Sequence, residues 1–577
     1  MNARRIAADE KICLVQPPIE DFYQSAARNI PLGLMQLGAM IRAHTRHPVQ
    51  LVDLRFGERT AIAVPPDLRA AAPYFRRRDA SPFALYKRYY RFGVRDEDIS
   101  GCLPGDSRIF CVAAQFTAYT DELYRLLSII RKHSPEAWII AGGNHASVRP
   151  ETLLARGVDF VVAGEGEEAI LALLAELQQE QPDFAGVPNL VFQRAGETLY
   201  TQRSEIADLD SLPFADVSIP GLPEYRLQGR RHTMLMASRG CSHRCRFCGI
   251  HHSMGSRYRL RSVRRVITEM QSKVEMGFRS FDFEDDHFGG SREWLDDLLD
   301  GILESFGEQE LRLHAMNGIT VSNLTASILR KMKRAGFEKL DLSLVTPRQD
   351  RQLDLGRPVG TAEFVRIVRE AVAVGLPVTA YLILGLPGDR PPDNLDAILS
   401  LAELPCRIGP SLFYLVPGTR LHADLDPALR EAISFRQFRA SYFPYARGDY
   451  SRRAAMTLLR ICRMLNFIKE LLDHAVEPQP YRIGADRILL TQPSMNGRQT
   501  RDTLGWALLE LFFSTGKLYG TQRKMREGYP IREEIVDQSL LDDFRTGDWK
   551  ISAACDKQEI GRAALVQGLQ LKGKLVI

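Results

Sequence analysis

Short, unbroken apolar runs recur through the first third of the chain, with stretches of helical periodicity between them. Lys11-Ile12-Cys13-Leu14-Val15 is closed by Gln16-Pro17-Pro18, where proline cannot continue a hydrogen-bonded ladder. Similar runs lie at 49–54, 109–114, 138–143 and 160–164, and helical patterns occupy 32–43, 121–133 and 167–177. Strands that are apolar along their whole length are buried on both faces. Their alternation with helices predicts a parallel sheet covered on each side. A doubly wound, Rossmann-like domain is expected over 1–184, with an insertion at 55–100 that carries Arg76-Arg77-Arg78 and the aromatics Tyr86, Tyr89, Tyr90 and Phe92. So long an insertion is expected either to form a lid over a ligand or to present a basic, solvated helix face.

Residues 185–230 are rich in proline and glycine and read as a linker with short strands. Strands are then predicted at 234–238, 279–284, 311–316, 338–344, 377–384 and 410–416, with helices at 262–276, 292–304, 323–335, 361–374 and 393–403. Six such units over 231–420 make a partial (β/α)6 TIM barrel, whose reactive groups belong at the strand C-termini. Beyond 421 the pattern is helical, notably at 453–473 and 503–513, so a mostly helical C-terminal domain is expected over 421–577. The fold class is α/β: sheet domain, barrel, then helices.

Composition changes this picture little. A chain of 577 residues with 45% hydrophobic and 25% charged residues is ordinary for a multi-domain globular protein, and a net charge of +5 is nearly balanced. There is no run long and apolar enough for a membrane span, and Met1-Asn2-Ala3-Arg4-Arg5 leads into charged residues, not a secretory core. Six of the nine cysteines are scattered singly, as in a reducing compartment, so a cytoplasmic location is expected. Arg257-Tyr258-Arg259-Leu260-Arg261 with Arg264-Arg265 is a basic patch that could touch RNA. Such a patch is more often a solvated entry to a helix, or a balance for the nearby thiolates, and nucleic acid is not the expected partner.

The chemistry concentrates in Arg239-Gly240-Cys241-Ser242-His243-Arg244-Cys245-Arg246-Phe247-Cys248, where three cysteines fall within eight residues as C-x3-C-x2-C. One loop can turn three such sulfurs toward a single centre. A structural zinc site wants four protein ligands, for which His243, His251 or His252 would have to serve. A cubane wants one sulfur per iron, and three cysteines would leave one iron open to a small molecule.

The spacing, with Phe247 inside the last C-x2-C, resembles the signature of the radical S-adenosylmethionine (SAM) superfamily. Leu384-Gly385-Leu386-Pro387-Gly388 at a strand end and Val416-Pro417-Gly418-Thr419 are further phrases of that family. The resemblance implies a 4Fe-4S cluster on Cys241, Cys245 and Cys248, with SAM chelating the open iron. Phe247, Gly385 and Pro387 would then lie against adenine, and Glu284 or Asp285 would meet the SAM amino group. The G-x-E-S phrase that many relatives carry at the fourth strand is replaced by Ser343-Leu344-Val345-Thr346, which leaves Ser343 as the candidate for ribose. An electron donor such as flavodoxin or ferredoxin would be required.

The first domain in turn resembles the cobalamin (B12)-binding domain that precedes many of these enzymes, with "G-G-x-H-x-S" at 142–147 and "V-x-G-E-G-E" at 162–167. That resemblance implies cobalamin contacts at the strand ends: Gln16, Pro17, Phe116, Thr117, Gly142, Gly143, His145, Gly164, Glu165 and Gly166. The D-x-H-x-x-G phrase of histidine-ligated carriers is absent after the first strand. It recurs at Asp285-Asp286-His287-Phe288-Gly289-Gly290 inside the barrel and is read as a coincidence, so no histidine from the first-strand loop is expected below the corrin. Together the resemblances imply a cobalamin-dependent methyltransferase acting at an unactivated carbon of a small molecule or peptide. The alternatives are cyclisation, oxidation or another rearrangement with or without cobalamin, and, from another class, a zinc-stabilised binding protein.

Overall fold

The computed structural model describes residues 5–573 except 25–28, 77, 308–309, 358, 492–494, 526–527 and 556–558. Seven strands form the first sheet, in the order Glu197–Tyr200, Leu190–Arg194, Phe160–Val162, Trp138–Gly142, Ile109–Ala113, Ile12–Gln16 and Val49–Asp53. The last five in that order are mutually parallel, with Ile12 opposite both Val49 and Ile109. Alternate side chains feed two cores. Leu14, Leu51, Cys111 and Ile140 pack under the helices Leu32–His44 and Glu167–Leu177, whereas Cys13, Val15, Phe110 and Ile139 pack under Thr120–His133. That double burial is why these strands read as continuous apolar runs.

The stretch 185–230 is more than a connection. Leu190–Arg194 and Glu197–Tyr200 form a hairpin that adds two antiparallel strands to the sheet edge, Phe160 pairing with Phe192.

The barrel strands come in two groups: Arg230–Leu235, Ser280–Phe283 and Arg312–His314, then Leu340–Val345, Val378–Leu384 and Arg407–Leu412. Single bridges at Leu313–Phe337, with the Ile319 N–H donating to the Asp341 carbonyl at 3.2 Å, stitch the groups together. Helices Val263–Glu275, Arg292–Phe306 and Ala326–Ala335 each start on a hydroxyl cap, from Ser262, Ser291 and Thr325. Two strands begin earlier than the pattern predicted. The first opens on Arg230-Arg231-His232, and the sixth contains Gly409 and Pro410, residues that hide a strand from a hydrophobic reading.

The C-terminal part combines helices Arg452–Asp473 and Gly497–Thr515 with a four-stranded antiparallel sheet that the helical expectation missed. Lys469 is fully buried and donates to three carbonyls, those of Ala402, Leu404 and Ser552 at 2.7, 2.7 and 2.8 Å. It ties the long helix to the barrel floor.

The 55–100 insertion is neither a free lid nor a solvated basic face. Tyr89–Phe92 pairs between Ile19–Asp21 and Arg59–Ile62, and Phe22, Phe75, Tyr86 and Tyr89 pack as one aromatic cluster. Arg76 reaches Glu534 at 3.4 Å and Phe83 packs edge-on to Phe467, so the insertion clasps the C-terminal part; Arg77 lies outside the described residues. Among the described residues no helix is long and apolar enough to cross a membrane.

Candidate active site

The first barrel strand ends at Leu235 and the chain turns through Ser238–Arg239 into the cysteine loop. Gly240 makes the turn at φ +76°, where a Cβ would run into the carbonyls of Met254 and Arg257, so only glycine fits. The rest of the loop is pinned from three sides. The Arg246 N–H donates to the Leu355 carbonyl at 3.0 Å, its guanidinium pairs with Asp354 and Asp424 (2.8 Å to the latter), and Leu421 N–H donates to the Arg246 carbonyl at 3.1 Å. Cys245 is buried, with its thiol 3.6 Å from the Gly356 carbonyl, while Cys241 and Cys248 are half-buried.

Burial pushes the Cys248 thiol up to about 11, and the neighbouring Cys245 and Cys241 thiols push the same way; Cys241 is raised by burial and by Cys245 as well. Buried thiols that repel one another as thiolates want a cation among them before they can ionise together. Among the described residues no three His, Cys, Asp or Glu side chains gather as ligands of one ion. A cubane needs no such convergence, because each sulfur bonds a different iron. The histidines are otherwise occupied: Nε2 of His251 and of His252 bond the Cys241 and Gly418 carbonyls at 3.0 and 2.9 Å, and His243 packs 4.8 Å from His287. The donor set fits a three-thiolate cluster better than a tetrahedral zinc.

The carboxylates after the second strand divide their work. Asp285 is wholly buried, accepting from Ala237 N–H at 3.1 Å and from the Ser238 hydroxyl, and burial lifts it to about 7. It braces the strand that feeds the loop. Asp286 accepts from Gly240 N–H at 3.3 Å and does the same for the turn. Glu284 and Asp286 are both half-buried, unlike Asp285.

At the fourth strand a bulge falls between Ser343 and Val345, and Val345 has φ +69°. The Ser343 carbonyl accepts from Arg357 at 3.3 Å. Gly385 turns at φ +79° with its N–H on Asn394 at 2.8 Å, and the Pro387 carbonyl accepts from Arg351. Phe247 is half-buried against the barrel core.

His287, which the sequence offers only within a coincidental D-x-H-x-x-G phrase, stands by the cluster loop. The His287 ring packs 4.8 Å from His243 and 5.1 Å from Tyr258, whose hydroxyl accepts from Gly290 N–H at 3.1 Å. Both His287 nitrogens are shut off from solvent and make no hydrogen bond. Burial first, then His243 and Arg357, push its imidazole down to about 4, so it is neutral near pH 7. The Arg357 cation also bears on the Cys241 thiol and the His243 imidazole, lowering both. No local pattern marks Arg357, for it follows the long turn after the fourth strand.

On the first domain the expected contacts separate. Gly142, Gly143, Gly164, Glu165 and Gly166 line one largely apolar cavity between the strand ends and the helices Leu32–His44 and Glu167–Leu177. Gly143 has φ +126°, and a Cβ there would meet the Ala114 carbonyl at 2.8 Å, so the backbone comes as close as a ligand cradle needs.

The remaining residues do not line the cavity. Gln16 is buried, donating to the Asn29 carbonyl at 2.7 Å and to Asp53, and the Pro17 carbonyl accepts from Arg55. Phe116 is 51% exposed at the strand end, and Thr117 bonds the His145 Nδ1 at 3.1 Å. His145 itself is buried, its Nε2 on Thr152 at 3.1 Å, so both ring nitrogens are engaged and it serves to hold its loop.

Burial, helped by Arg149, holds His145 at about 4. The unfolded ring protonates near 6.5, so its contribution is complete above that pH and is lost as pH falls toward 4, up to ~3 kcal/mol. Acid titration of thermal stability should therefore show a steeper loss between pH 6.5 and 4 in wild type than in His145→Gln. Parallel curves would remove His145 from that account.

Glu165 and Glu167 do not face a ligand alone. Arg239, the residue before the cysteine-loop turn, donates to Glu165 at 3.0 Å and to Glu167, and Arg259 donates to Glu165 at 2.8 Å. All four side chains are buried. Burial alone would push Glu167 up, but the Arg239 guanidinium outweighs it and holds the carboxyl below its usual range. Arg259 of the basic patch, with Arg239, is thus part of an internal latch that fixes the first domain's strand-end loop to the root of the cysteine loop.

A three-thiol loop at the mouth of a partial barrel, latched to the carboxyl ends of a doubly wound sheet, defines a radical enzyme with an appended corrinoid domain. Comparison with known proteins agrees. The radical SAM superfamily model matches residues 235–401 and the B12 binding domain model matches 106–174. The chain is 24% identical over 420 residues to an uncharacterized methyltransferase of Pyrococcus horikoshii, covering 71% of this chain and 82% of that one. It is 23% identical over 294 residues to the cobalamin-dependent radical SAM methyltransferase TokK of Streptomyces tokunonensis, covering 48% and 42%. The fold matches that of the radical SAM methyltransferase TsrM from Kitasatospora setae, solved with cobalamin and a 4Fe-4S cluster, at a TM-score of 0.55 and 17% identity over 72% of this chain and 77% of that one. The chain belongs to the superfamily of radical SAM enzymes that carry a cobalamin-binding domain.

Proposed function

We propose that the protein is a cobalamin-dependent radical SAM methyltransferase that alkylates an unactivated carbon of a small-molecule or peptide substrate. The observation that carries this reading is the shared cavity. Its lining passes from the glycine-rich strand ends of the first domain to Met236 and Arg239, the residues that lead into the cysteine loop. A methyl donor held there lies beside the radical source, and proximity of that kind is what a two-cofactor reaction needs.

Bound together, the cluster and SAM would supply a radical able to take hydrogen from carbon, and cobalamin would supply the methyl group. The protein's own tasks are to hold, orient and keep out water. Cys241, Cys245 and Cys248 would hold the cluster. Glu284 would take the SAM amino group, Phe247 and the Gly385–Pro387 turn the adenine, and Ser343 the ribose. Arg357 is suited to the methionyl carboxylate, since it stands at the end of the fourth strand, donating to the Ser343 carbonyl at 3.3 Å, with its Nε shut off from solvent and unbonded. A bidentate cation–carboxylate pair in a buried site is strong and directional.

Arg357→Ala should therefore weaken SAM binding by about tenfold or more and leave cluster loading intact, measured by SAM titration of the cluster's electron paramagnetic resonance signal. Unchanged SAM affinity would take Arg357 out of the SAM site. The proposed reaction is tested by anaerobic incubation with SAM, hydroxocobalamin and titanium(III) citrate. Transfer of a methyl group from SAM to the corrinoid leaves S-adenosylhomocysteine, so its accumulation supports methyl transfer. Formation of 5′-deoxyadenosine with no S-adenosylhomocysteine would point to rearrangement or oxidation instead. The electron donor, a flavodoxin or ferredoxin, belongs to this proposal too.

A further inference from the structure

The cavity at the sheet's carboxyl ends has a wall that the first domain does not supply. Met236, Met254, Arg261 and Glu269 of the barrel close it opposite Leu37, Val162 and Ile170. Among the charged side chains of this cavity, Arg261 stands apart from the Arg239, Glu165 and Glu167 latch. It is 8% exposed, and its Nη1 donates to Glu269 and, at 3.4 Å, to the Met236 carbonyl. Glu269 is shared with Lys273, 2.6 Å from its other oxygen, so one carboxylate faces two cations and a positive charge is left over.

The Arg261 Nε and Nη2 are shut off from water and make no hydrogen bond. The guanidinium carbon lies 5.6 Å from the Phe214 ring centroid, and the backbone is held by Ala237 and Trp294, so the side chain is placed with care. Buried donors are nearly always met. Two unmet N–H groups on a cation at a cavity wall mark where an acceptor belongs.

We propose that Arg261 anchors the nucleotide tail of the corrinoid. An acceptor of the tail, either a ring nitrogen of its unligated base or an oxygen of its phosphodiester, takes the hydrogen bonds from Nε and Nη2. The apolar walls take the flat face of the base. This rests on the reading that the cavity holds cobalamin, and adds that the barrel, not only the first domain, selects corrinoids with a complete tail. Seating the tail then also presses the two domains together, because its anchor is on one and its cradle on the other.

The test is binding, not turnover. Hydroxocobalamin, cobinamide phosphate and cobinamide are titrated by visible absorbance into the full-length protein and into Arg261→Met. Wild type should hold cobalamin at least about tenfold more tightly than cobinamide, and Arg261→Met should lose that margin while its affinity for cobinamide stays within about twofold. Cobinamide phosphate then separates the sources: an Arg261-dependent gain over cobinamide assigns the contact to the phosphate, and no gain assigns it to the base. Arg261→Lys keeps the charge beside Glu269 but loses the planar fork, and should show the same loss if the methionine variant fails to fold. Equal binding of cobalamin and cobinamide by wild type, or equal weakening of both by the variants, overturns the inference and leaves the cobalamin reading standing. No binding of any corrinoid ends both.

Discussion

Cys245→Ala is expected to abolish iron–sulfur loading and reductive SAM cleavage together, while leaving the melting temperature of the metal-free chain nearly unchanged. The structural stake of this thiol is small: its sulfur has a single weak contact, with the Gly356 carbonyl at 3.6 Å, and the loop around it is held by Arg246 and by backbone bonds from Leu355 and Leu421. Its chemical stake is complete, since a cubane that has already given up one protein ligand cannot spare a second. Visible absorbance and iron and sulfide assays read the loading, and chromatography of 5′-deoxyadenosine reads the cleavage. A variant that loads a full cluster and cleaves SAM would show that a different residue completes the ligand set.

The second large effect is at the latch. Arg239→Met leaves Glu167 buried without its cation and Glu165 with only Arg259, and breaking a buried pair in this way costs ~3–5 kcal/mol. Denaturant unfolding should show that loss, and limited proteolysis should open the junction between sheet and barrel. Arg239→Met combined with Glu167→Met removes the stranded charge and leaves Glu165 on Arg259, so it should recover much of the stability. If the single and double variants lose the same amount, the network is not what joins the two parts. Recovery of stability without recovery of turnover would mean that the ions set the distance between cavity and cysteine loop as well as the strength of the joint.

How legible each part was depends on how far its partners lie along the chain. Ile12-Cys13-Leu14-Val15 announces a two-sided strand because every residue is apolar, and the helix Glu167–Leu177 was read to its ends. The strand Arg230–Leu235 was read late because its first three residues are Arg, Arg and His. Arg231 sits over the Phe278 ring and His232 bonds Ser280, so polar side chains do the work of apolar ones there. The hairpin from Leu190 to Tyr200 looked like a linker because its pairing partner, the strand Phe160–Val162, needs the whole sheet to exist first.

The site divides in the same way. The cysteine loop is a local pattern, complete within eight residues, and local patterns survive translation into structure. Glu165 sits in a glycine–glutamate turn at a strand end, a local pattern that reads as a ligand loop, and it does line the cavity. Its partner Arg239 is 74 residues away, and nothing short of the fold brings them together. Glu284 and Asp285 stand out for their place at a barrel strand end; that Asp285 also serves the backbone N–H of Ala237, which needs an acceptor in a dry interior, is legible only in the fold. Arg357 carries no motif, and Arg261 stood out only as one of a run of basic residues. Their unmet N–H groups are a property of three dimensions.

The central claim is an iron held open for SAM above three thiolates, and it is tested most directly by electron paramagnetic resonance of the anaerobically reconstituted, reduced protein before and after SAM is added. A 4Fe-4S signal whose g-values move when SAM binds, alongside equal amounts of iron and sulfide, is the predicted result. A spectrum that SAM leaves untouched, or a chain that carries zinc and no sulfide, would contradict it.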